Sequence, residues 1–156
     1  MERKISVSLV ILALLLAMTS FNTLQSESDT EAELNTLWRA FEESWNALDP
    51  EACASFYHTD AVNIPPDMEI RSGRAAIQSF YEWLFSMHTA AEYHHQIHSV
   101  SHEGNLAVER GTFSVNWTRN DGTTWLFSAR SITHWEKDYE GRWMIKAFVF
   151  NAAPGE

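Results

Sequence analysis

From Glu31 to Leu48 the apolar positions are Leu34, Leu37, Trp38, Phe41, Trp45 and Leu48. Steps of three and four place them on one face of a helix several turns long. Residues 24–32 before it are polar and read as a lead-in, with Ser28, Asp29 and Thr30 on offer as N-caps. Asp49-Pro50 stops this helix, and Pro50 suits the first position of the next. Glu51 to Tyr57 reads as a short second helix, and Ala61 to Ile64 as a short strand broken by Pro65-Pro66. Ile70 to Gly73 leads into a third helix, Arg74 to Met87, striped by Ile77, Phe80, Tyr81, Leu84 and Met87.

The pattern then changes period. Tyr93 to Ser101, Leu106 to Thr118, Thr124 to Lys137 and Arg142 to Asn151 read as strands. Glu103-Gly104-Asn105, Asn120-Asp121-Gly122 and Asp138 to Gly141 supply the turns between them. Helices first and a meander of long strands afterwards predict an α+β fold, its antiparallel sheet bent over the helix faces. Alternation assigns the inward faces. Trp125, Phe127, Ala129, Ser131, Thr133 and Trp135 are bulkier and less charged than the even positions between them, so they are expected inside. By the same parity Glu109 goes inward with Phe113, Val115 and Trp117, and Lys146 with Met144, Phe148 and Phe150.

The N-terminus changes the picture of location. Met1-Glu2-Arg3-Lys4 precedes a nearly unbroken apolar run, Ile5 to Met18, the pattern of a secretory signal peptide over residues 1–23. The run is short of the roughly 20 residues that a membrane span needs. The expectation is a secreted or periplasmic protein with no membrane attachment after cleavage, the alternative being an N-terminal membrane anchor. The single cysteine, Cys53, excludes an internal disulfide, and its alanine neighbours read as the setting of a buried, inert thiol. A formal net charge of -10 repels phosphate backbones, so nucleic acid is excluded as a partner.

Seven tryptophans among 156 residues point to a core or pocket walled with aromatic rings. The aromatics at inward positions are Phe41, Trp45, Phe113, Trp125, Phe127, Trp135, Phe148 and Phe150; they are read as core in part and as the wall of an apolar ligand pocket in part. His94, His98 and His102 would share a face on a helix. On a strand, residues four apart stand roughly 13 Å from each other, too far for the ~2.0–2.1 Å bonds of one zinc ion, so no metal site is expected. His95, on the other face, is the titratable group expected in the pocket. Glu109 and Lys146 at inward positions need partners; they read as an ion pair with each other or with another group, or as an acid–base pair. Asp67 and Glu69, after the two prolines, read as solvated loop acids. No phosphate-cradling glycine loop or dinucleotide fingerprint is present, so no cofactor is expected.

Several stretches carry a family resemblance. Trp45 to Asp49, Phe56-Tyr57, Asp60-Ala61-Val62, Arg71 to Ile77, Phe80-Tyr81 and the closing Gly141 to Ile145 together resemble the nuclear transport factor 2-like superfamily, in its SnoaL-like, ketosteroid isomerase-like and SgcJ/EcaC-type branches. The resemblance covers residues 31–151. It implies a cone, in which a curved antiparallel sheet packs on three N-terminal helices around a pocket. One such cone serves enzymes, binding modules and assembly domains alike. The isomerase pattern, carried across by position, puts the oxyanion-binding tyrosine on Phe41, the base on Ile64 or Pro65, and the second oxyanion donor on Thr133. Phe41, Ile64 and Pro65 lack the needed group, and Thr133 is a weaker donor. The resulting expectation is a protein that binds a small apolar molecule through Phe41, Trp45, Phe113, Trp125, Phe127, Thr133, Trp135, Phe148 and Phe150, with His95, Glu109 and Lys146 as the groups for any acid–base chemistry. The alternative is a non-enzymatic homodimer, joined through the outer sheet face over the histidine-rich strand and the Trp117–Trp143 strands.

Overall fold

The computed structural model describes residues 28–153. The proposed signal peptide, residues 1–23, lies outside them. Helix α1 occupies residues 28–46, so Ser28, Asp29 and Thr30 are already helical and are not a lead-in or its caps. Thr30 is in fact buried. The stripe Leu34, Trp38, Phe41 and Trp45 is buried as its spacing requires. At the helix end, the Asp49 amide donates to the Ser44 carbonyl and the Leu48 amide to that of Trp45, with Leu48 at φ 54°. This is a left-handed C-terminal closure of the last turn. Asp49 then caps α2 (Pro50–Ser55) by accepting from the Ala52 amide at 2.9 Å. Helix α3 is Arg74–Ser86 and buries Ile77, Tyr81 and Phe85.

Six strands follow: β1 (Tyr57–Ile64), β2 (Arg71–Ser72), β3 (His88–Glu103), β4 (Leu106–Arg119), β5 (Thr124–Lys137) and β6 (Trp143–Ala152). They form one open, curved sheet in the order β2-β1-β6-β5-β4-β3. All pairings are antiparallel except β1 with β6. The stretch around His94 to His102 is thus a strand, as its alternation predicts. The second helix stops before Tyr57, which instead opens β1 opposite Ile145. The pairing then jumps to Val62, so residues between bulge out and break the alternation that would have extended the strand in the sequence. β2, with two residues, is too short to show a period.

Three further bulges reverse parity. At the start of β3 the register steps from His88 to Ala90, leaving Thr89 extra. On β3 the register steps from Ile97 to Ser99, leaving His98 extra. On β6 it steps from Ile145 to Ala147, leaving Lys146 extra. Trp143 and Ile145 therefore point inward before the bulge, and Phe148 after it. The inward parity assigned to Lys146 is corrected by this one inserted residue. Trp117 and Trp143 are themselves buried, and the apolar side chains exposed on β4 and β5 are Leu106, Val108, Leu126 and Ile132. The other assignments along β4 and β5 agree with burial: Glu109, Phe113, Val115, Ala129, Ser131, Thr133 and Trp135 are all inside.

Helix α1 lies against the edge strand β3. The Tyr93 amide donates to Asn46 Oδ1 at 2.7 Å, and the His95 amide to Glu42 Oε1 at 2.6 Å. Glu33 accepts from the Trp143 indole at 2.7 Å. No helix among the described residues is long and apolar enough to cross a membrane.

Candidate functional site

Between α3, the loop after β1 and the inner faces of β4, β5 and β6 lies a cavity of about 190 Å³. Trp45, Phe113, Trp125, Phe127, Phe148 and Phe150, expected as pocket residues, all line it. Phe41, Thr133 and Trp135 do not line it; they are buried elsewhere in the core. Phe41 packs edge-on to Trp38, Phe56 and Tyr93 in the core beneath α1. Pro65 is in the wall, and Ile64 is half-buried beside it. Asp67 and Glu69 are exposed.

The polar residues of the wall are absent from the sequence-based expectation. Asn63, Tyr81 and Tyr93 line the cavity. The Tyr57 and Tyr81 hydroxyls are 2.7 Å apart, and Asn63 Nδ2 donates to the Tyr57 hydroxyl at 3.3 Å. Burial pushes both tyrosine hydroxyls well above their ordinary pKa, so they stay neutral. Asn63 Oδ1 and Trp45 Nε1 are buried with no hydrogen-bond partner among the described residues. The available signal was an asparagine between Val62 and Ile64, in the middle of a strand that disfavours it.

A second polar cluster lies behind the wall. His95 Nε2 meets Glu109 Oε1 at 2.6 Å, with both side chains fully buried. Glu109 Oε2 accepts from Trp38 Nε1 at 2.7 Å and Trp135 Nε1 at 2.8 Å. The imidazole stacks on the Trp38 ring, centroids 3.8 Å apart and planes at 12°. The predicted need of Glu109 for a partner is thus met by His95 and two indoles, and not by Lys146. Gly111 makes the space: a Cβ there would sit 2.7 Å from His95 Nε2, 2.9 Å from Glu109 Oε1 and 2.9 Å from the Gln96 carbonyl oxygen. Neither His95 nor Glu109 lines the cavity. Tyr93, whose hydroxyl is 3.4 Å from His95 Nδ1, stands between the two.

Lys146 lies outside this interior. Its Nζ is 2.6 Å from Asp60 Oδ1, and His58 Nδ1 shares the same carboxylate oxygen. Hydrogen bonds from Lys146 first, and from His58, hold the Asp60 carboxyl at about 2, below its ordinary 3.8. A pKa depressed on folding contributes stability above the unfolded value, and that contribution disappears as pH falls through 2. Lys146→Met is therefore expected to return the Asp60 pKa toward the ordinary carboxylate range, read by an NMR titration of its side-chain carbon. An unchanged titration would mean that the pair does not form in solution.

His94 and His98 are exposed, and His98 Nε2 lies 3.0 Å from Thr112 Oγ1. Cys53 is buried, and desolvation pushes its thiol pKa up, which suppresses the reactive thiolate.

A sequence model of the SnoaL-like domain matches residues 38–144. No curated protein sequence matches the chain. Among solved structures, the fold is similar to a nuclear transport factor 2-like superfamily protein from Salmonella enterica serovar Typhimurium. The TM-score is 0.72 at 18% identity, covering 82% of this chain and 94% of that one. It is also similar to a candidate scytalone dehydratase from Novosphingobium aromaticivorans, with TM-score 0.73 and 12% identity over 80% of this chain and 85% of that one. A ketosteroid isomerase-like protein from Erwinia carotovora gives TM-score 0.69 and 16% identity, covering 80% and 96%. At these identities the structures bear on fold alone.

Proposed function

The chain belongs to the SnoaL-like domain family, and on that premise we propose that it binds a small, predominantly apolar molecule in the aromatic cavity. The observation that carries this is the cavity itself, about 190 Å³ walled by Trp45, Phe113, Trp125, Phe127, Phe148 and Phe150. Rings meeting at a void leave apolar surface without contacts, and a ligand of matching shape recovers them. Binding rather than turnover is the reading, because the acid–base groups face elsewhere. His95 and Glu109 satisfy each other behind Tyr93, and Lys146 is engaged with Asp60. In this reading residues 1–23 direct export, and the ligand is met outside the cytoplasm.

Native mass spectrometry of the protein purified from its own host tests the proposal. A retained small molecule is expected. Val115, buried in the wall, offers the control. Val115→Phe extends a ring into the void, and is expected to abolish retention while the domain stays folded. A ligand at a hundred times its Kd adds about 2.7 kcal/mol of stability. A wild-type protein that retains nothing, and whose melting point no small ring compound raises, would defeat the reading.

A second reading, a homodimer through the outer sheet face, is favoured by the exposure of Leu106, Val108, Leu126 and Ile132 on two paired strands. A monomeric mass by light scattering at high concentration would exclude it.

A further inference from the structure

Two polar atoms of the cavity wall are left over by the fold. Asn63 is 1% exposed and spends its Nδ2 hydrogen bond on the Tyr57 hydroxyl, leaving Oδ1 with no partner. Trp45 is 7% exposed, and its Nε1 donates to nothing among the described residues. Buried polar atoms are nearly always paired, and each exception calls for an explanation. Both residues line the same void, and a small turn of each side chain would bring these covered atoms to a bound molecule that supplies what the protein does not.

The two atoms are opposite in kind. Asn63 Oδ1 accepts and Trp45 Nε1 donates. A ligand that satisfies both must carry a donor and an acceptor, which a hydroxyl group combines. The rest of the wall restricts the ligand further. Among the described residues lining the cavity there is no Asp, Glu, Lys, Arg or His, so an ionised group would be buried without a counter-charge. Size is the third restriction. A cavity of roughly 150 Å³ takes benzene, and drug-sized ligands occupy roughly 300–1,000 Å³. About 190 Å³ suits one substituted ring.

We propose that the cavity selects a neutral, hydroxyl-bearing single-ring compound, with Asn63 Oδ1 accepting from the hydroxyl and Trp45 Nε1 donating to an oxygen of the ligand. This rests on the binding reading above and adds the chemical class. Asn63 and Trp45 are then the specificity-determining residues, and the aromatic wall supplies affinity common to all rings of this size. Tyr57 has a positioning part, since it holds the Asn63 amide with Oδ1 free.

The test compares phenol, toluene and benzoate on the full chain by calorimetric titration. The three share a ring and differ in a neutral hydroxyl, no polar group, and a charge. Phenol is expected to bind at least about tenfold more tightly than toluene, from two neutral hydrogen bonds, and benzoate to bind more weakly than either. Asn63→Leu and Trp45→Phe are each expected to shrink the phenol-to-toluene ratio while toluene still binds. A readout without substitution guards against an Asn63 variant that does not fold. The Trp45 indole N–H resonance, assigned by its loss in Trp45→Phe, should move downfield with phenol and stay in place with toluene. Equal affinity for phenol and toluene, with a motionless indole proton, overturns the class assignment and leaves the binding reading intact. Failure of all three rings to bind overturns both.

Discussion

Glu109→Gln is expected to lower the stability of the domain by about 3 kcal/mol or more, among the largest effects available to a single isosteric change. The carboxylate is fully buried on β4 and receives three contacts, from His95 Nε2 and from the indoles of Trp38 and Trp135. A glutamine keeps one acceptor oxygen and places an NH₂ where the other was. If the oxygen serves the indoles, the NH₂ faces His95; if it serves His95, the NH₂ faces two N–H donors. The second arrangement strands buried donors outright, at about 1–3 kcal/mol each. The first forces His95 to accept, which turns its tautomer around and costs it the charge-assisted bond. Urea unfolding at neutral pH measures the loss. His95→Phe combined with Glu109→Gln should cost less than the sum of the two, by about 1 kcal/mol or more, because the pair shares one network. A Glu109→Gln cost below about 0.5 kcal/mol would show that the buried carboxylate is dispensable.

Gly111→Ala should cost a similar amount for a steric reason. The added methyl group would stand under 3 Å from three atoms, none of them free to leave. The Gln96 oxygen belongs to the β3 backbone, and the His95 and Glu109 side chains are walled in on every side. The strands must separate or the His95–Glu109 hydrogen bond must break, and leaving both buried partners unpaired costs about 1–3 kcal/mol each. A fall in thermal midpoint of roughly 10 °C is expected by circular dichroism. Gly104→Ala is the comparison: a Cβ there meets nothing within 4 Å, but its φ of 58° imposes left-handed strain alone. That strain costs about 1–2 kcal/mol. If Gly111→Ala were no worse than Gly104→Ala, the close approach would not be what fixes His95.

Most of the fold can be read from alternation and helical spacing, because each face meets one environment over a long run. The stripe from Leu34 to Trp45 and the odd positions of β4 and β5 behave so, and they are buried where the pattern puts them. The errors collect where the strand register shifts, on β1 and β6, because one or a few residues without a pairing partner put the positions before and after them on opposite parities. Alternation puts Lys146 inward with Phe148 and Phe150 for this reason alone. The site was legible in its apolar part, since large rings at inward parity have few other destinations. Its polar part was not. Whether Glu109 meets His95 or Lys146 depends on which residues face each other two strands apart, and composition carries no trace of that. Asn63 and Trp45 matter through the partners they lack, a property of the assembled interior that appears only once every neighbour is placed.

The two α1 side chains that accept from the Tyr93 and His95 amides have a consequence beyond their own bonds. β3 is a terminal strand, and terminal strands template the addition of foreign chains. Glu42 and Asn46, one helical turn apart, occupy the very donors that an incoming backbone would need. Growth of the sheet in that direction is blocked at its centre, so fibril seeding and strand exchange there require α1 to peel away first. Resistance to aggregation is in this way tied to the docking of a single helix.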